Sequence, residues 1–575
     1  MDFAGTSGAM SAESVSSSEH TLPVPDAGAH YVPRRPEQTL LHRAIREQLE
    51  GFLARSTERG QPVPRFVEQE FRAFLRCGVL AHGFLRLRCD DCGCDRLLPF
   101  SCKRRGFCPS CGGRRMADTA AHLADRVLPE VPIRQWVLTL PYPLRYRCAY
   151  DAKLTSEVLR AFVRALFAEL RRRSRQHWGV RARQCGAVTF IQRFGSAMNL
   201  NLHFHTLALD GVYADTGGPS AAPRFLPLPP LGEDDLARVL AGTARRIERL
   251  VAERAGGDED ALARDEPLLA VLAAASLRGR STSGTNAGER WRRLGDRIEP
   301  ADEDADPEAS PGVPQHGGMS LHAAVLVPAR DRRRLERLAR YCARSPIATD
   351  RLEELPDGKL AVRLKTPWRD GTSHILMERS ELIERLVPLI PPPRAHQIRF
   401  HGILAPCSSW RYRVVPTGNT ALTAAERERP ADPRDESEAP PSINVRDERA
   451  ALGKDAPGVE SSGGRSELLP AAVGGADPGV HPHGTGRTRK AGSRYRWAEL
   501  LQRVFGIEAL RCPRCGSTMR VIAAIEDADV ARKILECLKL PARAPPIEPA
   551  APEIAELGQA EDDWLFDQSP IHEEP

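Results

Sequence analysis

No apolar run in the 575 residues is long enough to cross a bilayer, which excludes a chain built around membrane-spanning helices. The first 31 residues are rich in Ser and Ala and lack the basic-then-apolar order of a secretory leader. Both absences lead to the expectation of a cytoplasmic protein without a membrane partner. Net charge is also scarce, because 82 Lys and Arg against 76 Asp and Glu leave only +6. That balance hides an asymmetry. Arginines crowd the segments with helical or strand periodicity, while acids collect between them and in the tail, so local positive fields suit a polyanionic partner. Apolar residues make up only 41%, beside 48 prolines and 45 glycines, which points to substantial unstructured sequence, and the length of 575 residues leads to the expectation of two to four domains rather than one core.

Periodicity and composition divide the chain into six stretches: 1–36, disordered; 37–130, helical and cysteine-rich; 131–416, mixed strands and helices; 417–490, a disordered linker; 491–540, a small C-terminal unit; and 541–575, an acidic disordered tail. Within the third, 279–318 is Ser-, Gly-, Asp- and Pro-rich and is expected to be a mobile insertion.

The 14 cysteines include several Cys-x-x-Cys pairs, which in a large chain without a leader point to metal rather than disulfides. Cys89-x-x-Cys92 and Cys108-x-x-Cys111 have the spacing of one four-thiolate zinc site, with Cys94 and Cys102 in surplus. A redox dithiol would need a thioredoxin-like βαβ setting, and none surrounds them. Lys103, Arg104, Arg105, Arg114 and Arg115 interleave with Phe100 and Phe107, a combination suited to nucleic-acid backbone and bases; for Phe107 alone, core packing is the better reading. Cys512 and Cys515 form a further pair that cannot close a tetrahedral site without other donors.

Residues 187–213 read as two strands around a short turn, with His203-Phe204-His205 on the second. Strand residues two apart share a face, so the imidazoles point the same way and together suit a divalent cation. If the turn closes with Gly195 opposite Met198, Gln192 falls opposite Asn201 on the histidine face and becomes a third, oxygen-donating ligand. Further along, residues 331–344 form an amphipathic helix that buries Leu335, Leu338, Ala339 and Cys342 and presents Arg334, Arg337, Tyr341 and Arg344 to solvent. An exposed Tyr framed by Arg337 and Arg344 is a candidate nucleophile for a phosphodiester; otherwise it is a surface tyrosine on a charged helix. His322 and His401 read as ordinary strand histidines.

Taken together, RCDDCGCDRLLPFSCKRRGFCPSCGGRRM, FIQRFGSAMNLNLHFHTLALDGVY, LERLARYCARSPIATDRL, HGILAPCSSWRYRVVP and LLQRVFGIEALRCPRCGSTMRVIAAI resemble the rolling-circle (HUH) transposases of bacterial insertion sequences with an N-terminal zinc-binding domain. The resemblance implies an α+β fold, with an antiparallel-sheet HUH endonuclease core (131–416) flanked by helices and a zinc-binding, DNA-contacting domain (37–130). It implies an enzyme that nicks and rejoins single-stranded DNA at the element's ends and in target DNA. His203, His205 and Gln192 would hold Mg²⁺ or Mn²⁺; Tyr341 would carry a covalent 5′-phosphate; Arg337, Arg344, Arg104 and Arg105 would contact phosphates; and Zn²⁺ would be structural. Members with two tyrosines carry the second four residues earlier, where this chain has Arg337, so the likeness is to the single-tyrosine branch. A second nucleophile would then have to come from a homodimer. Two other readings stay open: a metal-independent tyrosine recombinase and a non-catalytic zinc-dependent DNA-binding protein. A metal hydrolase of small molecules is disfavoured, since it leaves Tyr341 and the basic cysteine module without a role.

Overall fold

A computed structural model describes residues 31–550 except for 32, 181–182, 216–222, 255–259, 295–313, 369 and 417–494. The expected linker (417–490) and nearly all of the expected N-terminal disordered stretch lie outside the described residues. The architecture is mixed, with helices packed on antiparallel sheets.

The largest sheet organises the molecule. Its strands run in the order Gln315–His316, Met319–His322, Ile133–Thr139, Leu200–Leu209, Gly186–Phe194 and Ile398–Gly402, with Leu326–Val327 also paired to Ile133–Thr139. Leu200–Leu209, the histidine strand, lies in the interior and is buried along its whole length, although Asn201, His203, His205 and Thr206 are polar. Alternation sends Leu202, Phe204 and Ala208 into one core with the helix Ala152–Trp178. His203, His205, Leu207 and Leu209 go to the opposite face, whose core includes Leu335, Ala339 and Cys342 from the helix Arg332–Cys342. Beyond the histidine strand, Asp210 takes two 2.9 Å bonds from Arg134 on the neighbouring strand. This pair is nearly buried, so removing one partner strands a charge and costs about 3–5 kcal/mol.

Ahead of the sheet, helices Leu40–Glu58 and Arg65–Arg76 pack with Phe107, which is fully buried between Phe71 and Phe74 at ring distances of 4.8 and 5.1 Å. Phe107 is therefore core and offers no face to a base.

Three expectations change. The stretch 491–540 is no separate unit: its strand Met519–Ile525 joins Phe84–Cys89 and Asp95–Pro99 in one sheet, and the residues before 417 and after 493 form one compact body. The insertion 279–318 is ordered at both ends. Arg293–Leu294 pairs with His374–Met377 around a buried Trp291, and Gln315–His316 forms a hairpin with Met319–His322; 295–313 lies outside the described residues. The tail from 541 is placed as far as 550, with Glu548 N–H donating to Arg46 O at 3.3 Å. In each case a distant segment supplies pairing that local composition does not reveal.

Candidate active site and cysteine centres

The hairpin before the histidines closes one residue later than the simplest turn, with Gly195 N–H donating to Asn199 O at 3.0 Å and Met198 taking φ +58°. A bulge between Gln192 and Phe194 adds a second offset. Gln192 consequently stands opposite His203 rather than Asn201, and a shift of two keeps it on the histidine face.

The imidazoles converge. His203 Nε2 and His205 Nε2 are 3.0 Å apart, and both side chains are buried. Adjacent positions of an octahedron with bonds of about 2.1 Å are about 3.0 Å apart, so the pair fits two ligand sites of one divalent cation. His203 Nδ1 donates to Asn201 O at 2.8 Å, leaving the Nε2 lone pair facing the site. His205 Nδ1 meets the Gln135 amide at 2.8 Å. With the amide oxygen toward Nδ1–H, His205 Nε2 is free to ligate; with the nitrogen there, Nε2 keeps the proton and bonds His203 instead. Burial, then the neighbouring His203 and Arg344, holds His205 well below the usual imidazole range, so it stays neutral as a ligand must.

Gln192 joins this site to the next element. Its Nε2 donates to Cys342 O at 2.8 Å and Tyr341 O at 3.3 Å, while its Oε1 is buried with no hydrogen-bond partner. An orphaned carbonyl oxygen on the histidine face is what a third cation ligand requires.

The helix Arg332–Cys342 starts with Asp331 accepting from Arg334 N–H at 2.9 Å, a side-chain N-cap. Its last turn sets the Tyr341 ring edge-on to His205, with centroids 5.7 Å apart at 90°. Tyr341 keeps 37% of its surface exposed. Two cations lie over its ring: the Arg344 guanidinium at 4.7 Å and Lys365 Nζ at 4.4 Å from the centroid. Arg344 also has a buried Nε with no partner. Burial, then Arg344 and Arg351, lowers the Lys365 ammonium below its usual range.

Of the four arginines expected at phosphates, Arg105 and Arg344 line one cleft with Arg115 and Gln192. Arg105 already donates to Ala395 O at 2.7 Å. Arg337 and Arg104 are exposed and line no part of that cleft. Lys365 and Gln135 were not legible as site residues. Gln135 carries the weak signal of sitting on a strand that pairs with the histidine strand, and Lys365 sits in a turn with none.

His401 lies on the far face of the sheet, bonded to Thr189 Oγ1 at 3.1 Å, and burial followed by Arg399 lowers it to about 4. The unfolded chain takes up a proton there near 6.5 and the folded chain only near 4. Stability should therefore fall as pH drops from about 6.5 toward 4, and His401→Gln should flatten that slope in urea titrations across the window.

The single zinc site expected from Cys89, Cys92, Cys108 and Cys111 is corrected. Cys108 and Cys111 group with Cys77 and Cys102, whereas Cys89 and Cys92 group with Cys512 and Cys515. Sulfur separations are 3.4 to 3.7 Å in the first cluster and 3.4 and 3.5 Å in the second, near the 3.8 Å or so of a tetrahedron with about 2.3 Å zinc–sulfur bonds. Hydrogen bonds from Cys102, Cys108 and Cys77 hold the Cys111 thiol well below its usual range, while the same network holds Cys102 and Cys108 above theirs. Local spacing misled because Cys108 opens the helix Pro109–Arg126, placing Cys111 in its first turn beside Cys77, at the end of Arg65–Arg76. Gly112 is helical rather than a turn residue; a Cβ there would lie 2.7 Å from the Ser345 side chain, so glycine permits the cysteine module to pack closely behind the tyrosine helix.

Residues 44–140 match the family model described as Transposase zinc-binding domain, and residues 186–411 match the one described as Putative transposase. Both models describe transposase domains. The first match spans Cys77 to Cys111, and the second spans Gln192, both histidines, Tyr341, Arg344 and Lys365. Cys512 and Cys515 lie outside both. No curated protein and no solved structure matches the chain. A zinc-binding transposase domain together with thiolate clusters of tetrahedral size supports structural Zn²⁺. A transposase domain implies DNA as substrate and an enzyme that cuts and transfers its strands. Among the described residues, no helix is long and apolar enough to cross a membrane.

Proposed function

We propose that this transposase nicks and rejoins single-stranded DNA at insertion-sequence ends through a 5′-phosphotyrosine on Tyr341. The observation that carries the reading is the 3.0 Å approach of His203 Nε2 to His205 Nε2, with the unpartnered Gln192 Oε1 on the strand position opposite His203 and the Tyr341 ring against His205. His203, His205 and Gln192 would hold Mg²⁺ or Mn²⁺, which supplies Lewis-acid polarisation of the scissile phosphate.

This chain's own groups do the rest. Arg344 and Lys365, over the Tyr341 ring, stabilise the phenolate as it forms, and Arg344, which lines the cleft, adds positive charge for the phosphate. Tyr341 gives up its phenolic proton to solvent, its oxygen attacks phosphorus, the bond from phosphorus to the 3′ oxygen breaks, and that oxygen takes up a proton from solvent to leave as a hydroxyl, so no proton is gained or lost overall. The phosphodiester count is unchanged, because a tyrosyl ester replaces a sugar ester. Attack by a 3′ hydroxyl on the tyrosyl ester reverses the step and joins strands without ATP. Gln192 holds the carbonyls of Tyr341 and Cys342, so nucleophile and cation ligands are fixed by one side chain.

The test is incubation with a labelled single strand carrying the element's end, with Mg²⁺ or with EDTA, followed by a denaturing gel. A nicked strand and a protein-linked band should appear with Mg²⁺ and vanish with EDTA. Cleavage that persists in EDTA would favour the metal-independent recombinase, and binding without cleavage the non-catalytic protein.

A further inference from the structure

We propose that Cys89, Cys92, Cys512 and Cys515 bind a second Zn²⁺, which latches the C-terminal segment 495–550 onto the N-terminal cysteine module and, through it, onto the tyrosine helix. The two pairs are more than 400 positions apart, yet they end up as equivalent halves of one site. In each, the residue after the second Cys is a glycine whose N–H closes a tight turn onto the carbonyl of the first Cys. Gly93 N–H donates to Cys89 O at 2.9 Å, and Gly516 N–H donates to Cys512 O at 3.0 Å. Both glycines take left-handed backbone, φ +69° and +79°, which a Cβ would strain. The strands next to the pairs, Phe84–Cys89 and Met519–Ile525, are neighbours with Cys89 opposite Met519, so sheet register delivers the two knuckles to the same place. Cys89–Cys515 and Cys92–Cys512 sulfurs lie 3.4 and 3.5 Å apart, and all four lie within 4.8 Å of one another. Four thiols at these separations, split between two knuckles, match a closed structural zinc site.

The apolar support beneath the site is thin: Leu87, Leu98 and Met519 are its buried companions beside Cys89 and Cys512. Strand pairing in so small a core is marginal without a cross-link, which is the setting in which a metal supplies the missing stability. What the latch holds reaches far. Helix Trp497–Phe505 packs Leu500 on Ala117 and Ala121, and Arg503 forks between Asp125, at 2.6 and 2.8 Å, and Glu336, at 2.6 and 2.9 Å. Glu336 is a buried residue of the helix that carries Tyr341. The ion thus secures the segment that braces the proposed nucleophile's helix; this last consequence rests on the function proposed above, whereas the metal site does not.

The test counts zinc in the full-length protein by elemental analysis. The wild-type chain should carry two equivalents, and Cys512→Ser with Cys515→Ser should carry one, as should Cys89→Ser with Cys92→Ser. One equivalent in the wild type, or two retained after either double substitution, overturns the proposal. Should the double variants fail to fold, Cys515→Ala alone in Co²⁺-loaded protein serves, since Cys515 is exposed. One of two four-thiolate cobalt spectra should then change, and an unchanged spectrum overturns the site. Neither readout involves DNA, so failure here is distinct from failure of the nicking mechanism.

Discussion

Tyr341→Phe should reduce the covalent protein–DNA complex to an undetectable level while leaving fold and DNA affinity close to wild type. The hydroxyl is the only atom removed. The ring, which packs edge-on to His205 beneath Arg344 and Lys365, is kept, so neither the cation contacts nor the helix end is disturbed. A residue 37% exposed contributes little to the core, and the melting temperature should hold within a degree or two. Filter binding of a single-stranded end should change less than twofold, because Arg344, Lys365 and the cysteine-module arginines are untouched. Loss of binding alongside loss of adduct would instead mean that Tyr341 acts in recognition.

Cys108→Ser is expected to have the largest effect on stability. Cys108 is buried among Cys77, Cys102 and Cys111 and precedes a helix that packs against the tyrosine helix. A structural zinc in a small module contributes on the order of 10–16 kcal/mol, as much as or more than the whole stability of an ordinary domain, about 5–15 kcal/mol. With one ligand gone, helices Leu40–Glu58 and Arg65–Arg76 should become sensitive to protease and one equivalent of zinc should be lost. Cys77→Ser should behave alike. Cys94→Ser, at a sulfur outside both clusters, should change neither property. Equal resistance to protease in Cys108→Ser and wild type would show that the helices hold the module without metal.

The contrast among these residues marks how far sequence carries the argument. The shared face of His203 and His205 follows from the two-residue period of a strand, and the exposure of Tyr341 follows from the spacing of Leu335, Ala339 and Cys342 on its helix. Both are local properties, and the hairpin over 187–213 and the helix over 331–344 were legible for the same reason. Gln192 was legible only up to its register, because the bulge beside it depends on the whole hairpin. The partition of the cysteines was not legible at all. Four thiols spaced as two knuckles sixteen residues apart satisfy any local rule for one site, yet Cys89 and Cys92 find their partners at Cys512 and Cys515 through strand pairing between distant segments. Lys365 and Gln135 reach the site by tertiary packing alone, and neither residue type announces a role.

The most direct measurement is the identity of the residue that carries DNA. After reaction of the full-length chain with a single-stranded element end and Mg²⁺, the DNA is trimmed by nuclease, the protein is digested, and the peptides are sequenced by mass spectrometry. The account predicts a nucleotide 5′-phosphate on the peptide containing Tyr341, located at its phenolic oxygen. A nucleotide on any other residue, or a cleaved strand with no peptide modified, would contradict it.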